Sequence, residues 1–519
     1  MSLSVARGLL NLWRLSIHDC QLMEEIITEE EQGEEIMTNE PLFPRLEMLI
    51  LEKLPKLRHF ILTKRTLEFP FFKVVQIHDC PEMKTFVQQG SVSTPSLNSM
   101  NNDDEVKVVD TMFNSKVSCL NLKELELAGA NCITSLCTHQ LPMGYFSKIE
   151  KLEVRRCGEL RNLMSTSLAR GLLNLRILSI EECQSMEEVI AEQEQEGEEI
   201  MRNESLFPVL EELKLCNLPE LGHFILTKHA LEFPFLKEVD ICECPKMKTF
   251  INQGTMSSTL SLESVNNDDE LKVVDFNKEM FNSKVLCPNL EVLYIWEANS
   301  ITVLCSHQLP APYFSKLEAL EVQNCGELRN LMSPLVARGL LSLRKLRIEE
   351  YQSMEEVITE DQEQQGEQIM IEPLFLVLEV VILDMLPKLR HFFLTKYTLE
   401  FPFLRALQIH VCPEMKKFVQ QDLELTPSLE IVNDDDEVKV DDLNEWIHQR
   451  FISKWVKSSF VCLICRRCIN ASAGKPATRP TAETKSPHRN IFVDQNKDIK
   501  ETLMTEAKGT LQQHAHLEG

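Results

Sequence analysis

Apolar residues recur along this chain in a short fixed pattern, L-x-x-L-x-I-x-x-C, clearest at Leu175, Leu178, Ile180 and Cys183. Alternation of apolar and polar positions puts every second side chain on one face of a short strand. The pattern sits inside a longer stretch, LARGLLNLRILSIEECQSMEEVI from Leu168, with two further copies beginning at Val5 and Val336. Around these copies, blocks of roughly 165 residues repeat in the same order. Further starts fall at Leu12, Leu46, Phe72, Leu122 and Ile149, then at Leu210, Leu236, Leu290 and Leu317, then at Leu343, Leu378 and Leu404.

Most starts lie 26 or 27 residues apart, inside the period of leucine-rich repeats. Gaps of about 34 residues hold an acidic run, and gaps of about 50 suit one hidden coil. Leu97, Leu262 and Leu429 stand where that coil should begin, in SLNSMNND, SLESVNND and SLEIVNDD, with Asn or Asp at the third apolar position. The spacing therefore predicts about 16 coils. Stacked coils make an α/β solenoid, a leucine-rich repeat horseshoe with a parallel β-sheet on its concave face. The outer segments, such as SMEEVI and PKMKTFI, are too short for long helices and suit single helical turns, 3₁₀ pieces or irregular chain.

Residues 1–440 form this solenoid, as three super-repeats of which the first lacks its N-terminal part and the third its C-terminal part. Met1 aligns with Met164 and Met332, in the middle of a coil, so a truncated product or a partial gene is expected. At 441–458, Leu443, Trp446, Ile447, Phe451 and Trp455 approach helical spacing and predict a capping helix. Residues 459–519 read as a cysteine cluster followed by a disordered tail.

Charge and cysteine usage narrow the partners. A formal net charge of −26 argues against a phosphate-binding body, so no nucleic acid is expected. Seven of the 17 cysteines (Cys20, Cys80, Cys157, Cys183, Cys244, Cys325 and Cys412) share one register and offer no paired spacing. Buried, reduced thiols in a cytoplasmic or nuclear setting are the simpler reading. Cys462, Cys465 and Cys468 match three ligands of a zinc or iron–sulfur site. No fourth cysteine follows and the nearest downstream histidine is His488, so lipidation and an incidental cluster stand beside metal binding and no cofactor is assigned. The acidic runs at 29–35, 192–199 and 360–367 read as solvated loops, with docking of a basic partner as the sharper alternative. Asp clusters at 101–105, 266–270 and 433–437 lack the ligand spacing of a calcium loop. The longest uncharged apolar run near the C-terminus, 460–465, is too short to span a membrane, and Arg7 and Arg14 break the N-terminal apolar run.

Catalytic motifs are missing: there is no phosphate loop, no G-x-S-x-G and no H-E-x-x-H, and an enzyme is not expected. The HF pairs at His59, His223 and His391 recur once per block, as a structural feature would. Binding is expected on the concave strand positions, with candidates Arg14, His18, Lys151, Arg155, Tyr294, Trp296, Glu321, Lys345, Arg347 and His410. Among these, Tyr294 and Trp296 are residue types enriched at binding hot spots.

Three coil types carry a family likeness: ILSIEECQSMEEVI from Ile177, FPVLEELKLCNLPEL from Phe207 and FPFLKEVDICECPKMKTF from Phe233. Together they resemble the leucine-rich repeats of plant coiled-coil nucleotide-binding disease-resistance proteins, over about residues 1–440, with the nucleotide-binding module missing. The resemblance implies an intracellular recognition module for a pathogen effector or a guarded host protein, one that also restrains a nucleotide-binding module. A repeat scaffold, a ubiquitin-ligase substrate adaptor and a decayed non-signalling copy remain as alternatives.

Overall fold

In the computed structural model, the described residues are 1–28, 42–88, 111–137, 145–191, 206–252, 279–305, 313–359, 375–393, 401–419, 428–433 and 443–452, less 64–65, 116, 228, 283 and 327. The chain divides into two units, Met1–Val456 and Lys457–Gly519. The three acidic runs and Cys462, Cys465 and Cys468 lie outside the described residues, as do Trp455 and nearly all of the Asp-cluster positions.

Fourteen inner strands build one parallel sheet in chain order. The first five are β1 (Arg14–His18), β2 (Met48–Glu52), β3 (Val74–His78), β4 (Glu124–Ala128) and β5 (Lys151–Arg155). Next come β6 (Ile177–Glu181), β7 (Glu212–Cys216), β8 (Glu238–Cys242), β9 (Val292–Trp296) and β10 (Ala319–Gln323). The series ends with β11 (Lys345–Glu349), β12 (Val380–Asp384), β13 (Ala406–His410) and β14 (Ile431–Val432). Neighbours pair residue for residue, as in Ile177↔Glu212 and Glu181↔Cys216. The second and fourth residues of each full strand point inward, and those of β2 to β13 are buried to within a few per cent. Such in-register stacking turns one coil's leucine into a continuous file, and burying each leucine stabilises by about 2 kcal/mol.

Each inner strand ends at a residue in the left-handed conformation. Thirteen of the fourteen are not glycine, from Asp19 (φ 56) to Asn433 (φ 53); only Gly129 is. A left-handed non-glycine residue costs on the order of 1 kcal/mol. The turn persists because its N–H bonds to the next coil: Asn217 donates to the Cys242 carbonyl at 2.8 Å and Glu243 to that of Trp296 at 2.8 Å. The register cysteine follows, buried in every such coil but the first. Its thiol reaches back to a carbonyl two residues earlier, as from Cys244 to Cys242 at 3.3 Å. Burial pushes the Cys244 and Cys412 thiols up to about 12, so both are protonated structural groups.

The outer segments differ from the expectation of helical or 3₁₀ turns. SMEEVI gives the strands Glu25–Ile27, Glu188–Ala191 and Glu356–Ile358, and PKMKTFI gives Thr249–Asn252. These pair in parallel with the next outer strand, as in Glu188↔His223. Their Val, Ile, Phe and Thr residues favour extended chain, and pairing across coils satisfies backbone groups that one helical turn would leave open. Just behind them a file of phenylalanines stacks, Phe224 on Phe250 at 4.7 Å and Phe250 on Phe281 at 5.9 Å. Helix appears once per block, as α1 (Leu3–Gly8), α2 (Thr166–Gly171) and α3 (Pro334–Gly339). Each is six residues capped by a serine, Ser2, Ser165 or Ser333.

The count of about 16 coils is corrected by the sheet order. β3 pairs directly with β4, Val74↔Glu124, and β8 directly with β9, Glu238↔Val292. Leu97 and Leu262 lie outside the described residues. What the 50-residue gaps add is an outer strand, Thr111–Phe113 and Glu279–Phe281, each paired with the outer strand that follows it. The third start, Leu429, is within the described residues and leads into an inner strand, the two-residue β14. Beyond it, α4 (Leu443–Ile447) and a π-helical turn, His448–Ile452, occupy the expected cap segment.

Candidate functional site

Alternation along the inner strands leaves the first, third and fifth residues facing away from the core, and these form three rows across the concave face. The first row contains Glu212, Glu238, Val292, Ala319 and Lys345; the third, Lys214, Asp240, Tyr294, Glu321 and Arg347. Cys216, Cys242, Trp296, Gln323 and Glu349 make up the fifth. All ten candidate residues stand on these rows, because the period of the motif fixes which positions turn outward.

The structure gathers some candidates and separates others. Tyr294, Trp296, Glu321, Lys345 and Arg347 share the adjacent strands β9, β10 and β11. Lys151 and Arg155 stand together on β5. Arg14 and His18 on β1 lie eight strand steps from Tyr294, roughly 38 Å along the sheet. His410 is four steps beyond Tyr294 on the other side.

Most concave cations are already engaged. Lys151 contacts Glu153 at 3.0 Å and Glu126 at 3.3 Å. Arg155 reaches Glu153 at 3.5 Å and Glu181 at 3.8 Å, and Lys214 meets Glu181 at 3.0 Å. Burial works against ionisation of Glu181, but Lys214, Arg155 and Ser179 outweigh it and hold its carboxyl below the usual range. Further along, Lys345 binds Glu321 at 2.7 Å, and Arg347 binds Glu349 at 2.8 Å and Glu321 at 3.9 Å. His18 Nδ1 lies 3.0 Å from Glu52. The partners Glu126, Glu181 and Glu349 were not among the sequence candidates. Two relations could have found them: Glu126 and Glu181 stand on the strand before Lys151 and Lys214, and Glu349 is the next outward position after Arg347 on the same strand.

Tyr294 is half-buried between Asp240 and Glu321. Burial, with Glu321, Glu238 and Asp240 nearby, pushes its phenol up to about 12. Trp296, beside it in the next outward position, is 39% exposed. Beside Trp296 lies a feature the cysteine spacing was not expected to supply: Cys216 and Cys242, register partners on β7 and β8, form a disulfide. Their separation of 26 residues is one coil, the same step that separates Cys157 from Cys183, so spacing alone does not tell a bonded pair from a free one. Those seven are free thiols.

On the opposite surface the recurring histidines bind outer strands together. His59 Nε2 is 3.3 Å from Glu25, and His223 Nε2 is 3.4 Å from Glu188. His391 pairs in register with Glu356, and burial, with Lys416 and Arg390 adding to it, lowers its pKa. Repetition of one His–Glu register pairing in each block is structural, as the sequence suggested.

A parallel inner sheet, a buried file of leucines and short outer strands define a leucine-rich repeat solenoid. The family model for plant disease resistance protein RPS2-like leucine-rich repeats matches residues 1–98, 121–269 and 289–431, and the chain belongs to that family. No curated protein sequence matches it. Among solved structures it is similar to one titled "Crystal structure of TLR13-ssRNA13 complex", at 13% identity and a TM-score of 0.21, over 76% of this chain. The chain spans about half of that structure, 54%. Among the described residues no helix is long and apolar enough to cross a membrane.

Proposed function

We propose that this chain is a protein-recognition module of plant innate immunity, acting inside the cell as part of, or beside, a nucleotide-binding resistance receptor. Its concave face senses a pathogen effector or a guarded host protein and restrains the nucleotide-binding module until detection. The observation that supports this reading most directly is the pair of outward-facing aromatics, half-buried Tyr294 and exposed Trp296, on a repeat sheet of the resistance-protein family. Aromatic side chains on a rigid strand offer large contact area at low entropic cost. The site is a binding surface, with no chemistry assigned to it.

The test is co-purification of the whole chain with the nucleotide-binding module of an RPS2-like resistance protein supplied separately. Association that is lost in Y294A/W296A, and kept in R58A/E82A on the outer surface, is the expected result. Failure to associate, or equal loss from both surfaces, overturns the reading.

A further inference from the structure

Charge bookkeeping on the concave face leaves an unbalanced patch. Lys151, Arg155, Lys214, Lys345 and Arg347 are each bound to at least one carboxylate. On β7 and β8, by contrast, Glu212, Glu238 and Asp240 have no side-chain hydrogen bond or ion pair among the described residues. Glu212 and Glu238 are register partners, so two like charges sit directly opposite on neighbouring strands. That arrangement is unfavourable in the chain alone. Asp240 is further disfavoured as an anion: burial raises its pKa, and Glu238 and Glu181 add to the effect against Lys214. These carboxylates adjoin Tyr294, one strand away in the same row as Asp240, while Trp296 flanks the ring.

An incoming cation would relieve all of these costs together. A compact ammonium satisfies charge alone, whereas a planar guanidinium lies on an aromatic face and forks onto carboxylate oxygens at its edge. Tyr294 next to Asp240 and Glu238 presents that combination, on the sheet between the disulfide and the Lys345–Glu321 pair. We propose that this patch binds an arginine side chain of the protein partner, its guanidinium over Tyr294 and its N–H groups on Asp240 and Glu238. The inference rests on the concave face being the recognition surface, and it names the partner's chemistry: a basic segment led by arginine.

Binding of hexa-arginine and hexa-lysine peptides to the full chain, measured calorimetrically, tests it. Hexa-arginine should bind at least about threefold tighter than hexa-lysine, since only arginine stacks on the ring while it forks. E238Q/D240N should weaken hexa-arginine about tenfold or more, the scale of losing two charge-assisted contacts. Y294L should remove the preference for arginine, while E124Q, an exposed acid on β4, should leave affinity within about twofold because the charge is remote from the ring. Equal affinity for the two peptides, absence of binding, or a loss from E124Q as large as from E238Q/D240N overturns the proposal in favour of a diffuse acidic field. Receptor association separates the two levels. If it is lost in Y294A/W296A but kept in E238Q/D240N, the arginine site fails alone; if every concave variant keeps it, the recognition reading fails as well.

Discussion

At β1, Leu15, Ile17, Cys20 and Met23 occupy the positions that Leu178, Ile180, Cys183 and Met186 hold in the coil of β6. The first four are only partly buried; the second four are fully buried. At the other end, the coil of β13 keeps Leu407, Ile409, Cys412 and Met415 sealed to within 1%. Near-identical coils thus differ in burial because of what lies against them. The C-terminal seal has two parts. Leu443 and Ile447 of α4 are buried in the same apolar core, and two asparagines stand in for backbone. Asn433 accepts from the Ile409 N–H at 2.6 Å and donates to the Ile409 carbonyl at 2.7 Å. Asn444 accepts from the Phe418 N–H at 2.8 Å and donates to the Val419 carbonyl at 3.2 Å. A side-chain amide carries one donor and one acceptor group, as a peptide does, so it completes a strand edge without another strand. In a solenoid, stability belongs to interfaces between coils more than to coils.

Substitutions can break this contrast. The largest effect is expected from Leu178→Ala, which should cost about 3 kcal/mol by cavity formation in a fully buried site; a shift in urea midpoint measures it. Asn444→Ala should follow at about 2 kcal/mol, because two buried backbone groups lose their partners, and fast hydrogen exchange at the Phe418 amide would report it. Leu15→Ala, the same change in the open coil, should cost only about 1 kcal/mol. A loss equal to that of Leu178→Ala would mean that neighbours do not set the energetics. Smallest is Asp240→Asn, expected to raise the melting temperature slightly at neutral pH. With a folded pKa above its ordinary 3.8, Asp240 contributes stability that is fully present below 3.8 and lost as pH rises through the folded value. The gain from Asn should therefore vanish under acid conditions, and a gain independent of pH would count against burial as its cause.

The inner strands were legible because L-x-L alternation, repeated thirteen times, leaves one choice of face. That choice also placed Tyr294, Trp296 and Lys345 on the open side. The outer strands were not legible, since three or four residues such as EVI fit an extended segment or a helical turn equally, and pairing with the adjacent coil decides. Nor was the direct pairing of β3 with β4 and of β8 with β9 legible across gaps of about 50 residues, since pairing is set by strands distant in sequence. Cross-strand ion pairs such as Lys214–Glu181, and the Cys216–Cys242 bond, join neighbouring coils, a relation assigned only once register is fixed.

The outer strands Thr111–Phe113 and Glu279–Phe281 each pair with the outer strand that follows, in sheets separate from those of Thr85–Gln88 and Thr249–Asn252 before them. The outer ladder is therefore cut into short runs, whereas the inner sheet passes both places unbroken. Slowly exchanging amides should follow the concave side from end to end, and local opening should begin at the breaks on the convex side.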